Sequence, residues 1–128
     1  MTTAPAEIAV TRRIDQARVD AYADAARDRN PIHLDTEVAA SSPFGRPIAH
    51  GMLVLALVSE AMTEAFGERW AETGTLKVRW RAPALPPVTV TARATLRSTA
   101  DGVATYDVQC DAEDGTVLLA GSASVAVE

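Results

Sequence analysis

After a short alternating stretch near the start, apolar residues along this chain recur at intervals of three and four until about Lys77 and alternate strictly from there. Before that point, Ile8 and Val10 alternate with Glu7, Ala9 and Thr11, which predicts a short first strand from Glu7 to Arg13. Asp15 can cap a helix from Gln16 to Ala26, with Val19, Tyr22, Ala23 and Ala26 on one side. Pro31 forbids its continuation, because proline lacks the donor and forces its predecessor out of the helical region. The segment from Arg27 to Pro47, rich in Pro, Asp, Asn, Ser and Gly, reads as irregular and as a carrier of polar side chains.

The next stretch, HGMLVLALVSEAMTEAF, is apolar on nearly every side from Met52 to Val58, which predicts a helix enclosed all round, beginning at Gly51. Its first N–H groups face the polar segment. After Lys77, the residues Val78, Trp80 and Ala82, and then Val88, Val90, Ala92, Ala94 and Leu96, form the inner rows of two strands. Asp101-Gly102 and Asp114-Gly115 punctuate two more, Val103 to Ala112 and Thr116 to Val127, as hairpin turns do. The expected fold class is α+β: all 128 residues in one domain, with an antiparallel meander of four or five strands curled around one buried helix.

Composition narrows the function classes. With 48% hydrophobic and 23% charged residues the chain should fold, and a net charge of −5 gives no positive field to gather nucleic acid or a membrane surface. The first residues, MTTAPAEIAV, lack the basic start and apolar core of a signal peptide, and the single Cys110 cannot form an internal disulfide. A cytoplasmic protein is expected. Only 5% of residues are aromatic, so a dimer is expected to supply further burial.

Glycine-rich phosphate loops, the G-x-S-x-G elbow, paired cysteines and H-E-x-x-H are all missing, which leaves the two histidines, His33 and His50, as acid/base candidates near neutral pH. Both lie near the start of the apolar helix. Pro31 stiffens Asp28-Arg29-Asn30-Pro31-Ile32-His33 and can turn Asp28 and His33 toward one point, where a carboxylate and an imidazole sharing a water would make it a nucleophile. Alternatives stay open here: a solvated His33 with Asp28 capping a turn, a metal held by Asp28, His33 and Asp35, and His50 as a structural cap. Cys110 reads as buried packing.

The segments YADAARDRNPIHLD (Tyr22 to Asp35) and FGRPIAHGML (Phe44 to Leu53), with VRWRAP (Val78 to Pro83) later, resemble the MaoC-like or R-specific enoyl-thioester hydratase family. That resemblance implies the hotdog fold, a curved antiparallel sheet wrapped around a long central helix. It also implies hydro-lyase activity: hydration of a trans-2-enoyl thioester, or dehydration of an R-3-hydroxyacyl thioester, on coenzyme A or an acyl carrier protein. Asp28 and His33 match the catalytic pair, Asn30 the residue that orients it, and the Gly51 N–H the donor to the thioester oxygen; Arg27 and His50 fall at substrate-binding or orienting positions. No metal or other cofactor is implied, and a homodimer or higher homo-oligomer is.

Two departures stand out. Arg27 occupies the place of a glycine usual before the aspartate, and Ala84-Leu85-Pro86-Pro87-Val88 replaces a glycine-aspartate turn. The first places a charge beside the expected site; the second alters the edge of an acyl pocket. Arg27, Arg29, Arg79 and Arg81 are candidates for carrier phosphates. The alternative readings are a specialised dehydratase of a polyketide or other secondary pathway, and a non-catalytic partner in a hetero-oligomeric hotdog dehydratase.

Overall fold

The computed structural model describes residues 3–128. β1 (Glu7–Ile14) leads through α1 (Gln16–Ala26), α2 (Pro31–Leu34) and α3 (Thr36–Ala40) to α4 (Gly51–Phe66) and α5 (Glu68–Thr73). Four strands follow: β2 (Thr75–Trp80), β3 (Val88–Ala100), β4 (Val103–Ala112) and β5 (Val117–Ala126). All neighbours in the five-stranded sheet are antiparallel, in the order β1-β3-β4-β5-β2.

The last three strands are the expected meander, but β1 and β2 occupy opposite edges. Four strand spacings separate those edges, roughly 19 Å. The 16 residues of α4 span about 24 Å, enough to carry the chain across. The helix packs on β1, β3 and β4. Its Leu53, Val54, Leu57, Val58 and Met62 join Val90, Ala92, Tyr106, Val108 and Cys110 of the sheet in one core. Small residues on the inner face, Ala92, Ala94 and Ala104, let the helix approach closely. Each fully buried Val or Leu contributes about 1.5–3 kcal/mol.

Three expectations are corrected. First, α4 is not enclosed all round: Met52 is 56% exposed and Ala56 also faces outward, so one flank of the helix is open in a single chain. Second, the 27–47 segment is not wholly irregular. Asn30 caps α2, with Pro31 at its first position, and the Asp35 carboxylate caps α3 by accepting from Glu37 N–H (2.9 Å) and Val38 N–H (3.1 Å). Third, β2 ends at Trp80, whose side chain is 49% exposed and not part of the inner row, and Ala82 lies beyond the strand. Smaller shifts add Ile14 to β1 and lengthen β3 to Ala100. Asp101 and Gly102 both have positive φ (54° and 74°), as the tight turn joining β3 and β4 requires.

Cys110 is buried packing, as expected, and its thiol donates weakly to the Val54 carbonyl of α4 (3.7 Å). Burial, reinforced by the Asp111 carboxylate, pushes its pKa from 9.0 up to about 12. Between those values the unfolded chain ionises at this position while the folded one stays protonated, so stability falls as pH rises through that window. The urea midpoint should therefore drop more between pH 8 and pH 10.5 in the parent than in Cys110→Ala. The native thiol should stay inert to a disulfide reagent at pH 8 and react on unfolding.

Candidate active site

The site begins where α1 ends. Arg27 takes the left-handed conformation (φ 57°, ψ 37°), and the Asp28 N–H returns to the Ala23 carbonyl (3.0 Å), which closes the helix and fixes the backbone of Asp28. A glycine would adopt that turn without strain, so the unusual Arg27 is first of all a backbone substitution. Its guanidinium has no hydrogen-bond or ion-pair partner among the described residues. Arg29, by contrast, pairs with Asp24.

Asn30 then sets the next turn. Its side-chain oxygen accepts from Ile32 N–H (3.0 Å), its own N–H makes a long contact to the Asp28 carboxylate (3.4 Å), and its carbonyl accepts from His33 N–H (3.0 Å). The single turn of α2 swings His33 back toward Asp28. The returning segment locks it there: Ile48 N–H donates to the Ile32 carbonyl (3.2 Å), and the Ile48 carbonyl accepts from His33 Nδ1 (2.7 Å). Because a carbonyl only accepts, His33 carries its proton on Nδ1 and presents the Nε2 lone pair, the form a general base needs.

His50 is 2% exposed and lies between Tyr22 (ring centroids 4.8 Å apart) and His33 (3.8 Å, interplanar 24°). Its Nε2–H donates to the Asp28 carbonyl (2.8 Å). The carboxylate of Asp28 and ring nitrogens of His33 and His50 all lie within 4.8 Å of one another. These are oxygen and nitrogen donors of a kind that can hold a divalent ion. Asp35 is not among them, since its carboxylate is committed to the cap of α3.

Gly51 opens α4, and the N–H groups of Gly51 and Met52 have no partners among the described residues; the helix hydrogen bonds start with Leu53 and Val54 donating to the His50 carbonyl. These unpaired donors at the positive end of a helix suit developing negative charge. The Trp80 indole N–H donates to the Gly51 carbonyl (3.1 Å), and a Cβ on Gly51 would lie 2.8 Å from that nitrogen. Glycine lets the indole lie this close; a Cβ here would push the half-exposed ring outward. Sequence reasoning missed Trp80 as a site residue because alternation placed it inward; the one available signal was a large aromatic at a strand end followed by Arg-Ala-Pro.

A cavity of about 300 Å³ is lined by Gly51, Phe44, Ile48, Trp80 and Arg81. Asp28 and His33 are not among its walls: they meet each other and His50, while Gly51 reaches them through the chain at His50. The 82–84 stretch separates this cavity from a second one of about 410 Å³, lined also by Leu85, Pro87 and Leu118. The departing stretch from Ala84 to Val88 lies along the wall of this second cavity. It is anchored by Ala49 N–H on the Ala84 carbonyl (2.9 Å) and by Arg46 on the carbonyls of Leu85 (3.2 Å) and Pro86 (2.5 Å).

Residues 2–115 match the MaoC like domain. The chain belongs to the MaoC-like family. It is 38% identical over 119 residues to the 3-hydroxyacyl-thioester dehydratase Z of Mycobacterium tuberculosis, covering 90% of this chain and 72% of that protein. A shorter match, 46% over 50 residues (39% of this chain, 37% of the other), is to the (R)-specific enoyl-CoA hydratase of Aeromonas caviae. Among solved structures, the (R)-hydratase from A. caviae involved in PHA biosynthesis superposes with a TM-score of 0.84 at 26% identity, over 95% of this chain and 94% of that one. The hotdog fold is therefore that of this chain too.

Replacing Arg27 by glycine removes a left-handed side-chain conformation worth about 1 kcal/mol. The melting temperature of Arg27→Gly should rise by several degrees, and an unchanged or lower value would show that the guanidinium contributes more than the turn costs.

Proposed function

We propose that this protein is a hydro-lyase that adds water to a trans-2-enoyl thioester, or removes it from an R-3-hydroxyacyl thioester, using Asp28 and His33 to hold and activate the water. The observation that carries this reading is the Asp28–His33 convergence beside the unpaired N-terminus of α4. In the hydration direction, His33 Nε2 accepts a proton from the water gripped with Asp28, and the water oxygen bonds to the third carbon. The electron pair of the double bond moves toward the thioester carbonyl, whose oxygen takes up negative charge against the Gly51 N–H. Return of that proton from His33 to the second carbon completes the addition and restores the neutral imidazole. One such preorganised donor contributes about 3 kcal/mol to the transition state, and the acid/base pair about a hundred- to ten-thousand-fold in rate. Water adds across a carbon–carbon double bond with no change of redox state, so the step calls for no electron carrier.

The carrier of the acyl group is coenzyme A or an acyl carrier protein. This reading assigns its phosphates to Arg81, which lines the cavity at Gly51, and to Arg27, next in sequence to Asp28. The open flank of α4 at Met52 and Ala56, with Phe44 (41% exposed) and Trp80 nearby on the cavity wall, supports a homodimer in which a second copy covers the site. Among the described residues no helix is long and apolar enough to cross a membrane, and the reading is of a cytoplasmic enzyme.

Turnover of crotonyl-coenzyme A and a longer enoyl thioester should fall at least about a hundredfold in Asp28→Asn and in His33→Ala, with melting temperatures near the parent's. Parental rates in both variants would end the proposed roles. Two tryptophans report binding differently: Trp70 is buried and bonded to Ser59, whereas Trp80 stands on the cavity wall. Titrating Asp28→Asn with thioester should change the emission of the Trp70→Phe form and leave that of the Trp80→Phe form nearly unchanged. Light scattering should give the mass of a dimer for the parent and of a monomer for Met52→Asp.

A further inference from the structure

Among the described residues, His50 is the one buried side chain of the polar and charged class, and the proposed water addition does not use it. Its position in the chain is the N-cap of α4, where Ser, Thr, Asp or Asn would ordinarily accept from the first-turn N–H groups. His50 makes no such cap, and its Nδ1 is buried without a partner. An unpaired buried acceptor is costly, so the ring must be held by what it does elsewhere. Elsewhere it touches both members of the pair: Nε2–H donates to the Asp28 carbonyl (2.8 Å), and the ring face stacks on His33 (3.8 Å). The titratable groups against it are His33, the Asp28 carboxylate within 4.8 Å, and Tyr22, whose ring centroid lies 4.8 Å from its own.

We propose that His50 is a positioning residue that sets the spacing of Asp28 and His33 through these two independent contacts while leaving the α4 N-terminus uncapped for the thioester oxygen. The proposal rests on the hydro-lyase reading for its kinetic consequence only. The hydrogen bond fixes where the Asp28 peptide lies as it leaves α1. The stack fixes the plane of the His33 ring, which its single hydrogen bond to Ile48 leaves free to tilt. A neutral ring face is also a favourable neighbour for the cation that His33 becomes when it takes the proton from water. A carboxylate at this position would do neither, and would occupy the first-turn donors.

The two contacts separate by substitution. His50→Gln keeps an N–H donor at similar reach and loses the ring; His50→Phe keeps the ring and loses the donor. Each should lower kcat about tenfold, and His50→Ala about a hundredfold, with KM within about threefold of the parent, as expected for misplacement of reacting groups. A purely structural cap would instead lower the melting temperature and leave kcat per folded molecule alone. The chain has only two histidines, so their ring nitrogens can be followed individually by 15N NMR in the absence of any substrate. The parent should show His33 as a single Nδ1–H tautomer; in His50→Gln and His50→Ala, which lose the stack, the ring should tilt off the Ile48 carbonyl and average over both. An unshifted single tautomer in those variants, or parental kcat in His50→Phe and His50→Gln alike, overturns the proposal. Absence of turnover in the parent would instead remove the hydro-lyase reading, with the tautomer measurement still deciding whether His50 positions His33.

Discussion

An apolar helix laid across a sheet must end somewhere, and in this protein the end of α4 is where burial and polarity meet. The core demands that Leu53, Val54, Leu57 and Val58 be held against the strands from the first turn onward. That demand brings the backbone donors of Gly51 and Met52 down to the level of the core without intrahelical partners. Such donors need an acceptor, and none of the described groups supplies one. The fold thus keeps two unpaired donors at the positive end of its central helix as a consequence of seating it.

The polar residues answer that geometry through backbone constraints. Asp28 is set by the termination of α1 and by His50; His33 is set by the Asn30-capped turn of α2 and by the Ile48 carbonyl. The two histidines carry opposite tautomers because each donates to a different carbonyl, from Nδ1 in His33 and from Nε2 in His50. One ring therefore presents a lone pair at Nε2, and the other spends its donor on the Asp28 carbonyl.

The legible parts of the sequence were those governed by local chemistry. Alternation found β3, β4 and β5, the Asp-Gly pairs marked their turns, and Asp15 announced α1 by the cap it forms with Arg18 N–H (2.8 Å). Asp28 and His33 were brought to one point by Pro31 and the Asn30 turn, as their spacing suggested. What stayed hidden depended on distant partners. The edge placement of β1 and β2 depends on α4 crossing the sheet, the outward Trp80 on its bond to Gly51, and the open flank of α4 on what covers it; none leaves a periodic trace. α2 and α3 escaped because four or five residues are too short for a helical period to show.

Arg27 separates two things that a glycine at its position would confuse. A glycine there can serve the turn, by tolerating positive φ, or serve the substrate, by leaving space beside Asp28. This chain keeps the turn at φ 57° with a full side chain attached, and the Asp28 N–H still reaches Ala23. The reversal is therefore imposed by the closing hydrogen bonds of α1 and by the pull of His50 on Asp28, and not by glycine's freedom. What the arginine adds is charge: a guanidinium without a partner among the described residues stands one residue from the Asp28 carboxylate. The departure from the family pattern thus adds an exposed charge next to Asp28 and leaves the backbone turn that places Asp28 intact.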